Sequence, residues 1–92
     1  MTNVPIASEA RVVVYGTGIC PYCVRAKGLL IKLGIPFDEV RIDLDPSCRR
    51  EFLQLTNGAR TVPQILIDGR CIGGFSELNV LHGEGMLEIL RS

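Results

Sequence analysis

The chain has 92 residues, 47% of them hydrophobic and 22% charged, with a formal net charge of zero at pH 7. That describes one small α/β-sized domain with apolar sequence for a single core, too hydrophobic for disorder. Ten basic residues balanced by ten acidic ones exclude a whole-molecule attraction to nucleic acid or an anionic membrane, and no run reaches the ~18 apolar residues of a membrane span.

Met1 to Ala10 is polar and aperiodic, so a flexible N-terminal arm is expected over 1–10 and a folded domain over 11–92. The arm has neither a charged n-region nor an apolar h-region and does not read as a signal peptide; the expected compartment is the cytoplasm. Arg11 to Tyr15 is a β-branched run bounded by Gly16 and Gly18, which predicts a buried strand. Thr17-Gly18-Ile19 then leads to Cys20. A helix is predicted from Pro21, with Val24, Leu30, Ile31 and Leu33 apolar, Arg25, Lys27 and Lys32 outward, and Gly34 with Ile35-Pro36 as the stop. Gly28 inside it costs ~1 kcal/mol relative to Ala and is read as a point of close packing.

Phe37 to Ile42 alternates apolar and charged residues, a second strand that the intervening helix makes parallel to the first. Asp45 is the expected N-cap, with Pro46 at the first position of a second helix that runs to about Thr56. Phe52, Leu53 and Leu55 should point inward, and Asn57-Gly58 ends the helix. Gln64–Ile67 and Arg70–Ile72 flank Asp68-Gly69, a strong hairpin signal. Gly73-Gly74 breaks the second of these strands. Ser76 is the expected N-cap of a third helix to about Leu81, closed by His82-Gly83, and Glu84 to Leu90 reads as a last short helix. The order is that of an α/β domain: a small mixed sheet with helices on both faces.

Cys20-Pro21-Tyr22-Cys23 carries the chemistry. Cys20 falls at the helix edge, where first-turn N–H groups lack intrahelical partners and the macrodipole is positive. A Cys20 thiolate is favoured there, with a pKa below the ~8.5 of free cysteine. Pro21 suits the first helical position, where its missing N–H is no loss. Cys23, one turn in, should be more buried and less reactive. Cys48 and Cys71 are isolated, the first a bystander thiol and the second a core residue of the hairpin. No second close pair completes a zinc site, so no metal is expected. A disulfide scaffold belongs to secreted proteins, whereas these strands and helices can build a core unaided. His82, the single histidine, sits at a helix end, and without a triad base cysteine-protease chemistry is excluded.

Three motifs together, Cys20-Pro21-Tyr22-Cys23, Thr61-Val62-Pro63 and Gly73-Gly74 followed by Phe75-Ser76-Glu77, resemble a glutaredoxin of the dithiol class, within the thioredoxin superfamily. The resemblance covers about Arg11 to the C-terminus. It implies a thioredoxin-like four-stranded mixed sheet, a cis bond before Pro63, and a glutathione groove. In that groove Thr61, Val62 and Pro63 line one side, with Val62 pairing its backbone with the cysteinyl part of glutathione. Gly74 and Ser76 hold the γ-glutamyl end, Glu77 stands where Asp is frequent, and Tyr22 flanks the groove. Three residues before Cys20 the family commonly has Lys; here it is Thr17, and Arg60 is the cation that could serve the glycyl carboxylate.

The implied activity is glutathione-dependent reduction of glutathionylated proteins, mixed disulfides and protein disulfides. Cys20 acts as nucleophile, Cys23 as resolving cysteine and glutathione as co-substrate, in a monomer with no nucleic-acid or membrane partner. The alternative is a glutathione-ligated iron–sulfur cluster carrier, a role that in the resembling family goes mainly with a motif lacking the second cysteine or carrying a smaller residue at Pro21.

Overall fold

The most apolar stretch of the chain, Val12-Val13-Val14-Tyr15, becomes an interior strand of a four-stranded sheet in the computed structural model, which describes residues 11–90. The arm expected at 1–10, and residues 91–92, lie outside the described residues. Strand β1 (Val12–Gly16) is buried along its length, pairs parallel with β2 (Asp38–Arg41) and antiparallel with β3 (Gln64–Ile67). Strand β4 (Arg70–Gly73) adds antiparallel to β3, giving the order β2-β1-β3-β4.

Because side chains alternate across a strand, β1 feeds two cores. Val12 and Val14 pack with Ala26, Leu30, Ile65 and Leu78 under helices α1 (Pro21–Leu33) and α3 (Phe75–Gly83). Val13 and Tyr15 pack with Val40, Phe52 and Leu66 on the other face, under α2 (Pro46–Leu55). This is the mixed sheet with helices on both faces that the sequence predicts.

Local chemistry sets the boundaries. Helix α1 ends at Gly34, whose φ of 73° favours glycine and whose N–H bonds to the Ile31 carbonyl at 3.1 Å. The Asp45 carboxylate accepts the Ser47 N–H at 2.8 Å and caps α2. Asp68 (φ 52°) and Gly69 (φ 83°) make a two-residue turn in which both residues have positive φ, the geometry that selects Asp-Gly.

Six expectations are corrected. Val24 and Ile31 are 65% and 69% exposed, because the buried stripe of α1 runs through Cys23, Ala26 and Leu30, and at roughly 100° per residue those two positions fall outside it. Leu53 and Leu55 are exposed in the same way, leaving Phe52 as the anchor of α2. The cap of α3 is Gly74, not Ser76, since Glu77 Oε1 reaches back to accept the Gly74 N–H at 2.8 Å. That is one half of a capping box, glycine having no side chain to supply the other. Within Glu84 to Leu90 only the 3₁₀ turn Glu88–Leu90 forms. Cys71 is exposed because β4 is the sheet edge. A Cβ added at Gly28 meets nothing within 4 Å, so that glycine marks open space and not close packing.

The last correction generates a test. Gly28→Ala removes the entropic cost of a helical glycine without a clash, and should raise unfolding free energy by about 0.5–1 kcal/mol. Leu30→Ala opens the first core and should lower it by about 2–5 kcal/mol. Urea denaturation of the two variants checks both signs; a destabilised Gly28→Ala would contradict the packing described.

Candidate active site

Strand β1 hands the chain through a three-residue loop to the start of α1, and the reactive pair sits at that junction. Cys20 is the N-cap, with extended backbone (φ −156°, ψ 99°), and its Sγ accepts the Cys23 N–H at 3.0 Å. Pro21 occupies the first turn and no acidic side chain lies there to offset the helix terminus. A sulfur in this place is held by an orphan N–H and by the positive end of the helix dipole, both of which favour negative charge on it. Cys20 and Cys23 are joined as a disulfide, with Cα atoms 5.2 Å apart. Cys23 is the more buried, 2% exposed against 8% for Cys20.

Two supports of this pair were not singled out from sequence. Gly16 ends β1 directly beneath Cys23, and a Cβ there would lie 2.7 Å from the Cys23 sulfur. The only signal was a glycine closing a strand just before the cysteine motif, which a simple turn explains equally well. The second is a clamp on the loop. The Asp43 carboxylate accepts the Gly18 N–H at 3.2 Å and two guanidinium bonds from Arg41, at 2.8 and 2.7 Å. The Arg41 bonds, and then the Gly18 N–H, hold the Asp43 carboxyl well below the usual carboxylate range. From sequence, Asp43 is only a residue between the second strand and the Asp45 cap.

Facing Cys20 is Thr61-Val62-Pro63, with the Val62–Pro63 bond cis. The Val62 carbonyl oxygen lies 3.6 Å from Cys20 Sγ. From here a groove of about 990 Å³ opens. Tyr22, Thr61, Val62 and Pro63 line one part and Gly74, Ser76 and Glu77 another. Seven residues expected from sequence to share a ligand are therefore brought together. Arg60 is exposed and does not line the groove. The Thr17 hydroxyl turns onto its own loop, donating to the Ile19 carbonyl at 3.4 Å.

The groove walls are close-fitted. A Cβ at Gly74 would sit 3.1 Å from the Pro63 carbonyl, and Gly73 has φ 111°. Both glycines thus serve the backbone itself. The Tyr22 ring contacts Phe75, centroids 6.3 Å apart, and carries the Arg25 guanidinium over it, 5.2 Å from its centroid. Phe75 had no expected role.

The Cys48 thiol differs from Cys20. Burial first, then Asp45 and Glu51, push the Cys48 thiol up, away from the thiolate form. Among the described residues no three His, Cys, Asp or Glu side chains cluster as metal ligands, and no helix is long and apolar enough to cross a membrane.

The chain is similar to known proteins. Residues 12–72 match the family model described as Glutaredoxin. A glutaredoxin of Pseudomonas aeruginosa is 43% identical over 81 residues, covering 88% of this chain and 95% of its own. Glutaredoxin 3 of Escherichia coli (strain K12) is likewise 43% identical over 81 residues, covering 88% and 96%. Among solved structures, the buckwheat glutaredoxin–glutathione complex superposes with a TM-score of 0.79 at 30% identity, over 92% of this chain and 79% of that one.

Two measurements check the supports. Gly16→Ala should push on the Cys23 sulfur and cost the oxidised protein about 1–3 kcal/mol of unfolding free energy; an unchanged urea midpoint would contradict the close approach. A depressed carboxylate contributes stability that is present above its unfolded value, here 3.8, and lost as pH falls toward the folded value. The stability gap between wild type and Asp43→Asn should therefore be full at about pH 6 and close below pH 3.8. A gap that stays constant through that range would count against the clamp.

Proposed function

The chain belongs to the glutaredoxin family, and from that premise we propose that it is a dithiol glutaredoxin, a glutathione-dependent oxidoreductase acting on glutathionylated proteins, mixed disulfides and protein disulfides. The observation that carries this reading is the Cys20 sulfur, capped by the Cys23 N–H and set against Val62 at the groove.

In the first step the Cys20 thiolate attacks the glutathionyl sulfur of a mixed disulfide. The new Cys20–glutathione bond forms as the old S–S bond breaks, and the target leaves as a thiolate that takes a proton from water. A second glutathione, as thiolate, then attacks the glutathionyl sulfur on Cys20. Glutathione disulfide departs and the Cys20 thiolate is regenerated. With a protein disulfide, Cys20 first forms a mixed disulfide with the target. Cys23 then attacks Cys20 Sγ, releasing the target's second thiol and leaving the Cys20–Cys23 bond, which two glutathiones reduce. The pairing of those two sulfurs supports this branch.

Stabilising the thiolate helps the two half-reactions unequally. Once the pKa is below ambient pH, further lowering adds no thiolate and costs about threefold in nucleophilicity per unit. The gain lies in the return step, where a stabilised Cys20 thiolate is the better leaving group.

In the groove, the backbone of Val62 pairs with the cysteinyl unit, with Thr61 and Pro63 shaping that wall. Gly74 and Ser76 hold the γ-glutamyl carboxylate. Glu77, whose Oε1 holds Gly74, offers its second oxygen to the α-ammonium. Tyr22 closes the side. Arg60, outside the groove, supplies the cation for the glycyl carboxylate in place of the lysine that Thr17 replaces. The protein works as a monomer in the cytoplasm, where thiols are kept reduced.

The test is turnover of the mixed disulfide between glutathione and 2-mercaptoethanol, with glutathione as reductant. Cys20→Ser should fall to background. Cys23→Ser should keep this activity within about threefold while losing more than about tenfold on a protein disulfide that needs the second thiol. Retained turnover in Cys20→Ser would contradict the assignment. So would an inactive wild type that instead gains visible absorbance on iron–sulfur reconstitution, the outcome expected of a cluster carrier.

A further inference from the structure

Among the described residues, Gln64 is the one buried polar side chain, 9% exposed at the first position of β3. An aliphatic residue would fill that position without desolvating an amide, which costs free energy unless its hydrogen bonds are replaced. The replacement bonds tie it to Thr61 on one side and Cys71 on the other. Nε2 donates to the Thr61 carbonyl at 3.1 Å and to the Thr61 hydroxyl at 3.4 Å. On its other side Oε1 accepts from the Cys71 thiol at 3.3 Å.

The Thr61 carbonyl belongs to the same peptide unit as the Val62 N–H. That unit is trans, the cis bond being the next one, Val62–Pro63. In a trans peptide the C=O and N–H point in opposite directions. Drawing the Thr61 carbonyl toward Gln64 therefore turns the Val62 N–H away from it. The Val62 side chain meanwhile packs on the second core, and its carbonyl lies by Cys20.

We propose that Gln64 is a positioning residue for disulfide exchange: by holding the Thr61 carbonyl it fixes the Thr61–Val62 peptide plane and aims the Val62 backbone at the groove, and the Cys71 thiol fixes which end of the Gln64 amide faces Thr61. Without a donor on Oε1, the amide can flip and set oxygen against the Thr61 carbonyl oxygen. Cys71 acts here through its S–H bond, not through redox chemistry. The inference rests on the glutathione reading of the groove and gives a role to two further residues of its lining, Gln64 and Cys71, acting through Thr61 and Val62.

The experiment compares Gln64→Leu, Cys71→Ala and Cys71→Ser with wild type, all reduced and all checked for a retained melting transition. For each it measures KM and kcat on the glutathione–mercaptoethanol mixed disulfide, and the pH dependence of Cys20 alkylation by iodoacetamide. Gln64→Leu should raise KM about tenfold with kcat within about twofold, and Cys20 alkylation should titrate as in wild type. Cys71→Ala should raise KM about two- to threefold, and Cys71→Ser, which restores a donor, should return it to wild type. An unchanged KM in folded Gln64→Leu would overturn the proposal. Equal behaviour of Cys71→Ala and Cys71→Ser would do the same, as would a joint loss of kcat, KM and the alkylation profile. A wild type without turnover would instead overturn the glutathione reading itself.

Discussion

One hydrogen bond organises this molecule: the Cys23 N–H held to the Cys20 sulfur at 3.0 Å, at the first turn of a helix. A helix start has N–H groups with nothing to bond and a partial positive charge. Most proteins place a Ser, Thr, Asp or Asn oxygen there. This chain places a sulfur, and so couples helix stability to the charge on that sulfur. In the proposed mechanism the same bond that caps α1 favours the thiolate and makes it the better leaving group.

The rest of the fold reads as support for that junction. An interior strand buried on both faces, β1, fixes where the loop emerges, and Gly16 at its end leaves room for the Cys23 sulfur. Asp43, at the far end of the parallel crossover, ties the loop down through the Gly18 N–H. From the antiparallel side, Thr61-Val62-Pro63 approaches Cys20, held in part by Gln64 on β3. Both neighbours of β1 thus contribute one contact to the reactive end of the sheet. A mixed sheet allows this because β2 and β3 leave and enter at the same edge in opposite senses.

Much of this was legible in the residues, and the reasons are local. A β-branched run closed by glycine, Asp45-Pro46 at a helix start, Asp68-Gly69 between two apolar runs and the cysteine pair before a helical pattern each act over a few residues. What was misjudged depended on distant partners. The sheet, not the sequence of α1, decides that Cys23, Ala26 and Leu30 face inward and leave Val24 and Ile31 in solvent. Cys71 looked like core because it lies in a strand of the hairpin, but β4 is an edge strand. Ser76 has the better capping side chain, yet Glu77 reaching back to Gly74 starts α3 earlier. Gln64 carried no signal, because Cys71 meets it only after the hairpin closes and the bond to Thr61 depends on the shape of the loop before β3.

The most direct test of the central claim is titration of the Cys20 thiol in the reduced protein, read as the rate of Cys20 alkylation against pH. Capping by the Cys23 N–H at the helix start requires the thiolate to dominate well below the ~8.5 of free cysteine. A midpoint at or above that of free cysteine would contradict the account.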